Sequence, residues 1–523
     1  MGKRLYNFGQ QGINVVFLIL FGATTLFALI HPNLIVGDNW RTGAGTTIVT
    51  AGLLIAGLAI VIGLYAYPRF ASACHWVFVQ HGRITASILL ALVVGWQLVF
   101  VLTLHPPIGW DAGALHQALT DTTSPNIRAY YSQNFNNVPV LLMMHAFATW
   151  FHTTAWLMFD LVTLGFVDLA AALNLVTIAL MAKQHLTAGL YVHALWLSLF
   201  ATIIVPYTDA WVLPLVAAMF FGYAVLTHQR WTFGWRLLGA VPLSIGAVAA
   251  YFIKPSAIVP VIAMLVVTLL YALRAVKPYP WRHIVIGSVV LLGMFAGSYL
   301  VINHSIQNQR YIQVDHSRAI PAVHFMSMGV SGQGGYNAHD ALMMAVLPTK
   351  QARSAYSIKM LKQRLGKMGV GGYLVFLVHK QYNNTADGSF AWDKEGSFIN
   401  ENPKPKPGPG LKNHLQQFVY LYGTNLGDYR WWTQAMWVVA LVLILVSSGE
   451  RRRDLQVLRV TIIGAFMYML LFEGGRSRYV IQYLPAFLIL LSQLAKDSVL
   501  RIRRLFAWGD YALDGNERKP RGA

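Results

Sequence analysis

Apolar stretches of membrane-crossing length recur along the whole chain, and they fix its fold class before any single residue is considered. A helix needs roughly 17–25 mostly apolar residues to cross the hydrocarbon layer. Only a structure that satisfies all its own backbone hydrogen bonds can lie there. Stretches that approach this rule lie at 13–31, 46–67, 84–104, 166–183, 190–206, 210–227, 237–253, 256–273, 284–303, 431–448, 459–472 and 480–495. The expected fold is an all-α polytopic membrane protein of about twelve spans. The first stretch lacks a convincing small-residue cleavage site and is followed at once by a second, so it reads as a retained span.

Composition agrees. Of 523 residues, 56% are hydrophobic and 11% charged, against about 25% charged in a soluble domain. That excludes a soluble globular or a disordered chain. The formal net charge is +20, but the basic residues punctuate apolar runs. A nucleic-acid binder would cluster them within soluble sequence. Cys74 is the single cysteine, which rules out an internal disulfide framework and a metal or redox pair built from cysteine.

Lys and Arg in short loops mark the cytoplasmic side. Placing Lys3 and Arg4 inside also places inside Arg69, Arg83, Arg230, Arg236, Arg274, Lys277, Arg282, Arg451–Arg453 and the basic tail. Both termini are then cytoplasmic. Segment 138–165 is apolar but carries His145, His152 and Asp160. If it crossed, Arg451–Arg453 would move outside, so it reads as a juxtamembrane or re-entrant piece. The expected organisation is two N-terminal spans (1–83), a transmembrane module (84–303) with a large outer loop at 105–165, an extracytoplasmic insert (304–430) of small α/β character, C-terminal spans (431–495) and a basic tail (496–523).

Within the insert, GVSGQGG (329–335) and NPKPKPGPG (402–410) read as loop and spacer. Between them Ile358, Leu361, Leu365 and Met368 recur at helical spacing, interleaved with Lys359, Lys362, Arg364 and Lys367. Such a helix suits an anionic membrane surface or a lipid phosphate. It equally suits a small subdomain with a solvated basic face. No P-loop, GxGxxG or HExxH motif stands in a supporting context, which argues against ATP-driven transport by this chain alone.

Polar residues collect where spans meet the outer face. Asp111 follows a Pro-Pro-Ile-Gly-Trp turn; an acid there is either used or serves as a helix N-cap. Tyr131, Asn136 and Asn137 lie in YYSQNFNNVP, where paired amides could hold a sugar or form a turn. Asp209 in PYTDAW is a site acid or the cap of the next helix. Glu473, Arg476, Arg478 and Tyr479 in FEGGRSRY bring two guanidiniums to a membrane edge. There they bind phosphate oxygens or anchor the interface by snorkelling.

This ordered set, together with HFMSMG (324–329), GGYNAHD (334–340) and HKQYNNTADGSF (379–390), resembles the multi-pass glycosyltransferases of the GT-C superfold. The similarity is to their protein-mannosyltransferase-like branch, and especially to the integral membrane glycosyltransferases of lactobacilli and related Gram-positive bacteria. The resemblance implies transfer of a sugar from a polyprenyl-phosphate donor to an extracytoplasmic acceptor, such as a cell-wall polymer, teichoic acid or protein. It implies Asp111 as general base. Asp209 would line the site or, with Asp111, help to hold a divalent metal (Mg or Mn). Arg476 and Arg478 would handle the donor phosphate. His116, His324 and Lys380 stand as further candidate contacts to acceptor or donor. The second acid that often stands near the first is not close here; the next are Asp121 and Asp160. Two alternatives share the composition: a transporter or flippase, and a polymerase or ligase, of lipid-linked saccharides. A transporter would place polar groups at mid-membrane depth, where only His193, Asn174 and Asp168 qualify.

Overall fold

The computed structural model describes residues 2–274, 281–392, 399, 405 and 407–506. Lys277, part of the Pro-rich stretch and the end of the basic tail lie outside them. Among the described residues, eleven helical segments are long and apolar enough to cross a membrane. One of these, Trp156–Leu199, has 44 residues, about 66 Å of helix and twice the hydrocarbon thickness. Ala182 breaks it with an extended backbone (φ −162°, ψ 100°), dividing it into two crossings.

The spanning helices are α1 (Gly2–Leu29), α2 (Ile48–Ala66), α3 (Gly82–Thr103), α4 (Trp156–Ala182), α5 (Leu186–Leu199), α6 (Leu213–Thr227), α7 (Ala240–Ile253), α8 (Val259–Ala272), α9 (Trp281–Gln307), α10 (Leu426–Val446), α11 (Arg453–Leu471) and α12 (Leu484–Phe506). Helix α6 packs between α4 and α7, α3 lies on α5, and α8 lies on α11. Without a hydrophobic drive between helices in lipid, close packing of small residues does this work. A Cβ on Gly222 of α6 would meet the Gly239 carbonyl oxygen at 2.5 Å and Leu243 N at 2.6 Å, so only glycine permits that approach to α7. Helices α2 and α9 expose apolar side chains along nearly their whole length, as lipid-facing helices do.

Segment 138–165 is two things. Val138–Phe151 is a separate 14-residue helix, about 21 Å long, and lies in none of the segments long and apolar enough to cross. His152 ends it in the left-handed conformation (φ 53°, ψ 36°), and its amide bonds the Ala148 carbonyl. Residues 156–165 then form the first turns of α4, so that crossing begins ten residues earlier than its hydropathy suggests.

Among its described residues the insert is helical, not α/β. Its described residues form Ala322–Met328, Ala338–Val346, Lys350–Thr385 and Leu411–Val419, with a lone antiparallel bridge from Ile399 to Ile108. The run Val370–Val378 has strand-like composition, yet it continues a 36-residue helix past a break at Gly369 (φ 61°, ψ −178°). The amphipathic stretch 354–368 forms the first arm. Its Arg364 turns inward and grips Asp340 at 2.6 and 2.9 Å, while Lys359, Lys362 and Lys367 stay exposed. Asp387 ties the insert down: it accepts from Asn33 Nδ2 at 3.0 Å and from Ser477 Oγ at 3.1 Å. These contacts join the first loop, the insert and the segment that carries Arg478.

Candidate functional site

Four segments meet at one end of the bundle. Asp111 stands in the first turn of the Trp110–Gln117 helix, whose cap is Gly109. It is therefore not an N-cap. Trp110 beside it takes a left-handed backbone (φ 53°), a strained conformation for a bulky residue. The Asp111 carboxylate is held by two phenols: Tyr130 donates to Oδ1 at 2.9 Å and Tyr207 to Oδ2 at 3.1 Å. Burial, and then the Asp111 charge, push both hydroxyls well above the usual phenol range. Both are thus fixed as neutral donors.

The paired asparagines form the next layer. Asn137 Nδ2 donates to the Tyr130 hydroxyl at 2.5 Å, and Asn136 Nδ2 donates to Asn137 Oδ1 at 3.2 Å. They orient the tyrosine that orients the acid. Tyr131 is elsewhere: it is fully buried, and its hydroxyl reaches only the Ala114 carbonyl at 3.5 Å.

Asp209 lies in the short Thr208–Trp211 helix. It pairs with the Lys254 ammonium, and Arg478 Nη1 stands 4.0 Å from its Oδ2. The Tyr479 ring carries both cations, with Arg478 at 5.0 Å and Lys254 Nζ at 5.3 Å from its centroid. The Tyr479 hydroxyl donates to Glu473 Oε1 at 3.1 Å. Burial pushes the Glu473 carboxyl up, and the Asp111 charge adds to that, against the pull of Tyr479, Arg478 and Lys254. Arg476 is half-buried at the head of the Ser477–Tyr483 helix. The structure therefore gathers Asp111, Asp209, Glu473, Arg478 and Tyr479 from loops far apart in sequence, and adds Tyr130, Tyr207 and Lys254.

Three expected contacts are engaged otherwise. His116 bonds the Thr154 carbonyl through Nε2 at 2.6 Å and stacks on Trp156 at 4.0 Å, fixing the start of α4. His324 is buried inside the insert, and burial pushes its imidazole down to about 4. The buried Lys380 Nζ donates to the carbonyls of Gly329 (2.6 Å), Leu470 (3.0 Å) and Phe472 (2.6 Å). It latches the insert to the segment bearing Glu473.

The donor set does not suit a divalent ion between Asp111 and Asp209. Tyrosine hydroxyls occupy both Asp111 oxygens, and Asp209 faces an ammonium. Among the described residues no three His, Cys, Asp or Glu gather as metal ligands.

Comparison with known families gives a match over residues 5–499. The chain belongs to a family of conserved hypothetical integral membrane proteins. The matched range takes in every spanning helix almost to its end, the insert and the whole candidate site. No curated protein and no solved structure matches the chain.

Proposed function

We propose that this integral membrane protein is a GT-C-type glycosyltransferase that moves a sugar from a polyprenyl-phosphate donor to an extracytoplasmic acceptor. The observation that carries the reading is the meeting of a tyrosine-held carboxylate, Asp111, with the cations Lys254 and Arg478 at one membrane edge. Lys and Arg bias supports an outer position for that edge, with both termini on the cytoplasmic side of a cell membrane.

Asp111 accepts the proton of the attacking acceptor hydroxyl as oxygen bonds to the anomeric carbon and the bond to the donor phosphate breaks. A positioned base contributes roughly 10²–10⁴-fold. Negative charge grows on the leaving phosphate, and Arg478 and Lys254 face it from a largely buried position. One such fixed donor is worth about 3–4 kcal/mol. Asp209 and Tyr479 hold the two cations in place. The Asn136–Asn137–Tyr130 chain does the same for the base.

The test compares envelope polymers of cells lacking this chain, and of the same cells given it back, by sugar analysis. Loss and recovery of one glycosyl decoration supports transfer and names the sugar. Unchanged polymers contradict it. A transport reading draws on Asn174 and His193, both buried with unpartnered side-chain atoms. Saccharide movement into vesicles without any new glycosidic bond would favour it.

A further inference from the structure

The second arm of the long insert helix Lys350–Thr385 is rooted on two spanning helices. Gln381 Nε2 donates to Thr24 Oγ1 of α1 at 3.0 Å, and Thr385 Oγ1 lies 3.2 Å from the same oxygen. Beside them Lys380 is held by the Leu470 and Phe472 carbonyls at the end of α11. Thr24 stands five residues, about 7.5 Å, inside the end of α1. Past that level α1 still exposes Leu26 and Leu29, as a helix in hydrocarbon does. The root of the arm is therefore at a depth that lipid reaches.

Away from this root, no residue from Gly369 to His379 is buried. Val370, Leu374, Val375 and Val378 are 82, 59, 57 and 53% exposed. Their phases cover an arc of about 140°, the breadth of an apolar helix face. Left in water this would be a bare apolar patch. Val370–Val378 is about 13 Å of helix, less than half the hydrocarbon thickness, so it can enter the leaflet without crossing it.

The charges on the first arm complete the pattern. Residues 350–379 contain no Asp or Glu. Both arginines turn inward: Arg353 donates to the Leu347 and Ser317 carbonyls, and Arg364 pairs with Asp340. Lys359, Lys362 and Lys367 stay exposed, and their phases also fall within about 140°. The break at Gly369 (φ 61°) separates this basic face from the apolar arm. Apolar surface beside a lysine face is the make-up of a helix lying at the headgroup boundary, and cations there are drawn to anionic lipid.

We infer that the kinked insert helix docks on the leaflet at the Asp111 side, with Val370–Val378 in the hydrocarbon boundary and Lys359, Lys362 and Lys367 on anionic lipid headgroups. This docking does not depend on the sugar-transfer reading.

The test uses the full-length protein with Cys74→Ser, carrying one fluorescent label at Leu374→Cys, at Val375→Cys or, as a lipid-facing reference on α2, at Ile55→Cys. Each is reconstituted in phosphatidylcholine vesicles with or without phosphatidylglycerol, and iodide is supplied on both faces. Labels at 374 and 375 should be quenched by a lipid-borne nitroxide to about the extent seen at 55, and shielded from iodide. Two positions keep the test decisive if one label disturbs folding. A label at Gln363→Cys, beside the lysines, should gain quenching from a headgroup nitroxide when phosphatidylglycerol is present. Combining Lys359→Gln, Lys362→Gln and Lys367→Gln should abolish that gain. Iodide quenching of both arm labels would overturn the inference. So would shielding of both from lipid and iodide alike, the mark of a protein partner such as a second copy of this chain. A gain at 363 that is absent, or that survives the triple substitution, would also overturn it.

Discussion

The Tyr207 hydroxyl donates to Asp111 Oδ2 at 3.1 Å across 96 residues of chain. With Tyr130 on the other oxygen, it aims the carboxylate before any substrate arrives. A hydrogen bond to a charged group is worth about 1.5–3 kcal/mol, so Tyr207→Phe should lower sugar transfer about tenfold or more. Tyr131→Phe should leave transfer near wild type, because that hydroxyl touches only a backbone carbonyl at 3.5 Å. Initial rates of the two variants in the same membranes decide this; an equal loss in both would refute the arrangement.

Lys254 and Asp209 form a largely buried pair. Removing one partner strands the other's charge, at about 3–5 kcal/mol. Lys254→Met should destabilise the purified protein by that order, and adding Asp209→Asn should recover most of it. Thermal melting in detergent of the two single variants and the double variant measures the coupling.

Glu473 supplies a pH signature. Its folded carboxyl titrates above the ordinary glutamate value because it is buried. Between the ordinary and the raised value, the folded protein holds a proton that the unfolded chain has lost. Stability contributed at this residue therefore falls as pH rises through that window. Glu473→Gln removes the loss, so its melting temperature relative to wild type should climb with pH. A difference that stays flat from pH 4 to 8 would count against it.

Lys380 satisfies three carbonyls at the seam between insert and bundle. Lys380→Met leaves them buried and unpaired, at about 1–3 kcal/mol for each group. Hydrogen exchange near Gly329 and at Leu470–Glu473, the end of α11 and the loop after it, should accelerate markedly, with the rest of the spanning helices unchanged. Uniform acceleration along the chain would instead indicate global unfolding.

The bundle is legible in the sequence because a membrane-spanning helix must be apolar for its whole length, and that signal needs no partner. The site acids are legible for a related reason: Asp111, Asp209 and Glu473 interrupt apolar context at span ends. Their partners depend on packing between distant segments, so Tyr207 and Lys254 carry no local mark. Tyr130 is a partial exception. Ile127 and Tyr131 stand four apart and share the buried face of the Pro125–Gln133 helix, which turns Tyr130 about 100° away from it. Phase alone could have chosen between the two tyrosines. The insert's helical character is hidden by Gly369 and the strand-like Val370–Val378. The roles of His116 and Lys380 depend on carbonyls supplied from far along the chain.

The most direct measurement is sugar transfer and donor binding by Asp111→Asn, side by side in the same membranes. If Asp111 is the base, transfer falls about 10²–10⁴-fold while donor affinity stays within about twofold of wild type, since Lys254 and Arg478 remain in place. Transfer at the wild-type rate would contradict the account.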